Sequence, residues 1–252
     1  MTEAWTSTLD TAQAATFGTL GMPIKMQTTL LELTGKRETR FQIALQSLDR
    51  TYDTNEIRSL WKSGELESKY PGHPFLTCMR ALFNRQAILD LQKNANPKTL
   101  VKVAGCEVYQ YVNGGVGLAG VKHGTEAIET SDLKMVAALS TVGLPLLAIT
   151  GPEGDHRYYL PRYGPARADG QPVADGLALM TAWRRDKEEV PWEHPFAQAC
   201  RVLYNRERII QAIARDVEMV LLIKPKSNWR SALIRADATP AAFDQVKRHF
   251  DR

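Results

Sequence analysis

One stretch of this chain occurs twice, and that repetition limits what the chain can fold into. His73 to Ile88 reads HPFLTCMRALFNRQAI and His194 to Ile209 reads HPFAQACRVLYNRERI, with half of the positions identical. Unrelated segments agree at only about one position in twenty, so the pair reads as an internal duplication. The Pro suits the first position of a helix, where a missing N–H removes no bond, and His73 or His194 then falls at the cap. At about 100° per residue, Phe75, Met79, Leu82, Phe83 and Leu89 form one apolar stripe, repeated by Phe196, Cys200, Leu203, Tyr204 and Ile210. Arg80 and Asn84, like Arg201 and Asn205, lie four residues apart on the other side, one above the other.

A second match precedes the first. Thr8 to Ile24 (TLDTAQAATFGTLGMPI) aligns with Thr130 to Leu146 (TSDLKMVAALSTVGLPL), sharing Thr8/Thr130, Asp10/Asp132, Ala15/Ala137, Thr19/Thr141, Gly21/Gly143 and Pro23/Pro145. Asp10 or Asp132 can accept bonds from the first helical turn, and Gly21 or Gly143 can end the helix in a left-handed residue. Each match therefore predicts a capped short helix followed by an extended segment.

Next come two β-hairpins, Ile24 to Leu45 and Leu146 to Tyr163, the second carrying Pro161, which cannot donate to a ladder. Each is followed by a helix with one tryptophan, Trp61 or Trp183, and a Pro-containing turn that leads into the repeated helix. Each copy closes on an extended stretch, Thr99 to Val112 and Met219 to Ala236, and a short helix is expected at Pro240 to Phe250. The fold class is thus α+β, a tandem duplication of an α-β-β-α-α-β unit packed as a pseudo-dimer. The first unit spans residues 1–97 and the second, with the C-terminal helix, 129–252. Residues 98–128 hold an extended segment and the Gly-rich linker NGGVGLAGVKHGTEA.

Hydrophobic residues at 44% and charged residues at 24% are those of a soluble globular protein. The excess of 32 Lys and Arg over 28 Asp and Glu is too small to argue for nucleic acid by itself. Cys78, Cys106 and Cys200 are odd in number and lack C-x-x-C spacing, so neither a disulfide framework nor a zinc site is suggested. The polar start MTEAWTSTLD lacks the form of a signal peptide, and the run Leu139 to Ile149 is too short to span a bilayer, so a cytoplasmic protein is expected.

The order T-x-D-L, Ala-rich helix, Gly and hairpin in Thr130 to Ile210 resembles a small uncharacterised domain of phage and mobile-element proteins. By repetition the resemblance extends to the first half, which departs from it at Thr11, where the pattern has Leu. The resemblance implies a mobile-element setting and no particular activity.

The candidate sites each have a structural reading as well. Gly115 to Gly120 is literally G-x-G-x-x-G, but Gly124 interrupts the helix that a dinucleotide site needs and no βαβ series surrounds it, so it reads as linker and no cofactor is expected. None of His73, His123, His156, His194 and His249 shows metal-ligand spacing. Asp155-His156 could pair as acid and base but falls at a hairpin tip in one copy only, so no catalytic residue is assigned. Arg80, Asn84 and Arg85, with Arg201, Asn205 and Arg206, either tie the helix to the preceding turn or use Arg for phosphate and Asn for base edges. Lys224, Lys226, Trp229 and Arg230 mix cations with an aromatic, the combination that meets phosphates while a ring stacks on a base.

These residues point to a nucleic-acid-binding accessory protein or subunit of a nucleoprotein assembly, DNA or RNA unresolved, with other protein subunits as further partners and no membrane. Two related surfaces facing one extended ligand raise the effective concentration of the second contact, which suits binding. Two alternatives stay open: a hydrolase or nuclease with a cleft between the copies lined by His73 and His194, and a protein-interaction adaptor.

Overall fold

The computed structural model describes residues 5–31, 35–94, 100–103, 106–109, 127–150, 154–164, 174–187, 189–214, 219–224 and 230–235. The elements are β1 (Trp5–Thr8), α1 (Thr11–Thr19), β2 (Ile24–Leu30), β3 (Arg37–Ala44), α2 (Thr54–Ser63), α3 (Leu66–Lys69), α4 (Pro74–Asn94), β4 (Leu100–Val103) and β5 (Cys106–Tyr109). They continue with β6 (Ala127–Thr130), α5 (Leu133–Thr141), β7 (Ala148–Thr150), β8 (Arg157–Pro161), α6 (Gly176–Arg185), α7 (Pro195–Ile213), β9 (Met219–Lys224) and β10 (Arg230–Arg235). The protein is α+β, with every strand pair antiparallel.

The chain divides into two compact units, and neither is a continuous stretch. The first holds Met1–Met79, Pro191–Glu193 and Arg201–Arg252; the second holds Arg80–Val190 and His194–Cys200. The break in α4 falls after Met79 and the break in α7 after Cys200, which are matched positions in the repeated stretch. Each unit thus draws on both halves of the sequence.

In the first unit, a five-stranded sheet runs in the order β1-β3-β2-β9-β10. Ile24 and Met26 of β2 and Phe41 and Ile43 of β3 are buried, while Gln27, Arg40 and Gln42 between them are exposed. That alternation is the mark of a sheet covered on one face. Helix α1 packs against β1, β2, β3 and β9 and buries Ala14, Ala15 and Phe17. Phe75, at the start of α4, meets Phe17 at 5.1 Å and Trp61 of α2 at 5.4 Å between ring centroids, closing the core.

The second unit has a three-stranded sheet, β6-β8-β7, and a separate two-stranded pair, β4-β5. Helix α5 contacts β6 and β8, and Trp183 of α6 meets Phe196 edge-on at 6.0 Å. The local signals behave alike in both units. Asp10 accepts from the Ala12 N–H at 2.7 Å and Asp132 from the Lys134 N–H at 2.9 Å, while Gly21 and Gly143 take φ of 87° and 90°.

Three expectations change. A strand, β1 or β6, precedes the first helix of each half, so the expected α-β-β-α-α-β order lacks its first element. These four-residue strands gain their hydrogen bonds from β3 and β8, which are distant in sequence, and carry too little alternation to be read alone. The closing extended stretches are hairpins, β4-β5 and β9-β10, rather than single runs. The apolar stripe is also less regular than expected, since Phe83 is 59% exposed and Ile210 42%, whereas Ile88 and Ile209, on the Asn side, are buried. Residues on either side of the breaks in α4 and α7 belong to different units, so no single stripe faces a core along the whole helix. The Gly115 to Gly120 loop, His123, His249 and the Pro240 to Phe250 segment lie outside the described residues.

Candidate nucleic-acid interface

The two Arg-Asn sets do not form exposed binding faces. Asn205 is fully buried and donates from Nδ2 to Thr19 Oγ1 at 2.8 Å; Asn84, half-buried, donates to Thr141 Oγ1 at 3.1 Å. Each Thr hydroxyl spends its one hydrogen on the carbonyl four residues back, Ala15 at 2.7 Å or Ala137 at 2.8 Å. Its oxygen can therefore only accept, which fixes the orientation of each Asn amide. The Asn of one half thus ties its helix to the end of the short helix from the other half, α1 or α5, and not to the preceding turn.

Among the arginines, Arg80 is exposed, Arg85 and Arg206 are half-buried, and Arg201 is buried at 1% exposure with its guanidinium 5.4 Å from the Trp192 ring. Reading Arg201 and Asn205 as surface contacts for nucleic acid is therefore corrected, because a side chain enclosed in a core cannot reach a phosphate or a base edge. Arg80, Arg85 and Arg206 remain with solvent access.

The basic stretch near the C-terminus occupies the end of a ribbon. Arg230 pairs with Lys224 in the β9-β10 register, so these two positions flank the loop, with Lys226 and Trp229 lying outside the described residues. Strand β10 is the edge of the five-stranded sheet.

His73 and His194 cap their helices through Nδ1, which accepts the Phe75 N–H at 3.1 Å and the Phe196 N–H at 3.2 Å. Burial lowers both imidazole pKa values, with Glu56 opposing this slightly at His73, so both favour the neutral, accepting form. Around His73 the ring of Tyr52 packs edge-on at 5.4 Å, and burial raises the Tyr52 pKa despite a hydrogen bond with Trp192. Glu56 receives Lys69 at 3.0 Å and the Tyr70 hydroxyl at 2.9 Å, bonds that hold its carboxyl below the ordinary value. Cys78 and Cys200 are buried outside any disulfide, and burial pushes the Cys78 thiol far up, away from the reactive thiolate. Among the described residues, no group of three His, Cys, Asp or Glu side chains could hold a metal ion.

Sequence reasoning missed the roles of Thr19, Thr141 and Trp192. For the threonines the signal was present, since both are shared between the halves at the same place in the short helix. For Trp192 it lay in a difference, VPWEHP against YPGHP, which the repeat alignment passes over. Among the described residues, no helix is long and apolar enough to cross a membrane. No family model, curated protein or solved structure matches this chain.

Proposed function

We propose that the protein is a nucleic-acid-binding accessory protein, or subunit of a nucleoprotein assembly, of a mobile element, working in the cytoplasm and built by internal duplication. The observation that carries the binding reading is the β9-β10 ribbon. Its register sets Lys224 opposite Arg230 at the loop end, with Lys-Pro-Lys-Ser-Asn-Trp-Arg running between and through them. A two-stranded ribbon ending in cations and an aromatic is a form that can reach phosphates and bases together.

The duplication reading is supported by matched pairs. Asn84 holds Thr141 while Asn205 holds Thr19, and Phe75 and Phe196 are both fully buried. Replacing either Phe by Ala should lower stability similarly, by about 3–5 kcal/mol, in urea melts.

Fluorescence anisotropy at several salt concentrations tests the binding. Removing Lys224, Lys226 or Arg230 should each lower the log–log salt slope by about 0.7–0.9. Trp229→Ala should weaken binding by roughly 1–3 kcal/mol while leaving the slope nearly unchanged. No salt-sensitive binding of the intact protein to any DNA or RNA at micromolar concentration would overturn the reading. The adaptor reading would then take its place, with exposed Phe83, Tyr163 and Leu177 of the second unit as the apolar contacts to test.

A further inference from the structure

We infer that the uncovered face of the five-stranded sheet in the first unit is a platform for single-stranded nucleic acid; this rests on the binding reading above and extends its site beyond the ribbon tip. Helix α1 covers the face carrying Ile24, Met26, Phe41 and Ile43. On the opposite face the register brings Ser7, Gln42, Lys25 and the Val220 position into one row, since Ser7 pairs with Gln42, Gln42 with Lys25 and Lys25 with Val220. Gln27 and Arg40 pair in the neighbouring row. Ser7, Gln27, Arg40 and Gln42 are exposed, and Trp5 and Lys25 partly so.

Lys25 Nζ lies 4.0 Å from the centre of the Trp5 ring, two strands away, and Ala44 of the intervening strand β3 is buried. The alternation along β9 places Lys224, and Arg230 opposite it, on this same face. The ribbon tip and the Trp5-Lys25 pair are therefore two parts of one surface. Among the described positions it carries Lys25, Arg40, Lys224 and Arg230 against a single acid, Glu38, which sits 3.9 Å from Arg40.

That composition fits a particular occupant. An aromatic ring can stack on a base, glutamine amides can meet base edges, and separated cations can follow a backbone laid across the strands. A flat sheet face reaches unstacked bases but cannot enter the groove of a duplex, so the charge complementarity favours a single strand. Five strands about 4.8 Å apart give a row about 19 Å across, room for the two or three bases that sheet platforms stack.

The experiment uses the full chain with oligothymidylate and oligouridylate of about twenty nucleotides and a DNA duplex of similar length as probes. Lys25→Glu combined with Arg40→Glu should weaken binding of a single strand about tenfold or more, Gln42→Glu less, with unchanged thermal melts, since Arg40 and Gln42 are exposed. Trp5→Phe should remove part of the tryptophan quenching seen on binding. The oligothymidylate and oligouridylate arms separate DNA from RNA. Single-strand affinity staying within about twofold in the Lys25/Arg40 and Gln42 variants overturns this inference while leaving the ribbon tip as the site. Binding to duplex alone also overturns it, and binding to none of the probes overturns both readings.

Discussion

Arg80 and Arg201 occupy the same place in the repeated helix and have opposite fates. Arg80 is exposed, whereas Arg201 is buried beside the ring of Trp192. The segments before the helices explain the difference. The turn before α7 carries Trp192, whose position corresponds to Pro71 before α4, and a proline has no ring system to lay over a guanidinium. The Asn pairs diverge less: both bond a threonine, but Asn205 is fully enclosed and Asn84 half-enclosed. A residue shared by the copies thus keeps its local bond, while the residues packed around it decide whether it can serve a surface.

The largest effect should come from removing the ring that makes the difference. Trp192 is 5% exposed and bonds Tyr52, so Trp192→Ala should cost about 3–5 kcal/mol by chemical denaturation. A loss no larger than that of a surface substitution would break the comparison. Asn205→Ala comes next, at about 1–3 kcal/mol, because it leaves the buried Thr19 oxygen without its donor. Asn84→Ala should cost less, since water can replace part of the bond at a half-buried site; equal losses would mean that burial is not what separates the pairs. Arg201→Ala should destabilise measurably through lost packing, whereas Arg80→Ala should stay within about 0.5 kcal/mol.

The smallest effect concerns pH. The folded imidazoles of His73 and His194 lie below the ordinary value of 6.5 because burial disfavours their charge. Their contribution is fully present above that value and is lost as pH falls through the depressed folded pKa, since the unfolded chain binds the proton more readily. Melts at falling pH should show this loss, and His73→Asn and His194→Asn should flatten it while keeping a cap. An unchanged pH profile in both variants would show that the capping histidines do not titrate with folding.

Much of the fold was legible because its signals are local. Asp10 and Asp132 cap within the next helical turn, Gly21 and Gly143 turn the chain at their own φ, and His73 and His194 bond an N–H two residues on. The candidate site was less legible. Nothing within one helical turn of Asn205 announces that Thr19, a residue of the other half, would take its amide, and helical spacing alone put Arg201 on a polar side. The short strands β1 and β6 escaped for the same reason, as did the face that unites Trp5, Lys25 and the ribbon tip.

The sequence by itself determined the capped helices, their stops and the hairpins, since each depends on bonds between residues a few positions apart. Only the tertiary structure decided that β2 pairs with β9 across nearly the whole chain, that each compact unit draws on both halves, and that Arg201 is buried while Arg80 is not. A strand edge offers the same row of N–H and C=O groups to any partner, and a helix face is buried or exposed according to what packs on it, so both outcomes depend on segments far away in the chain.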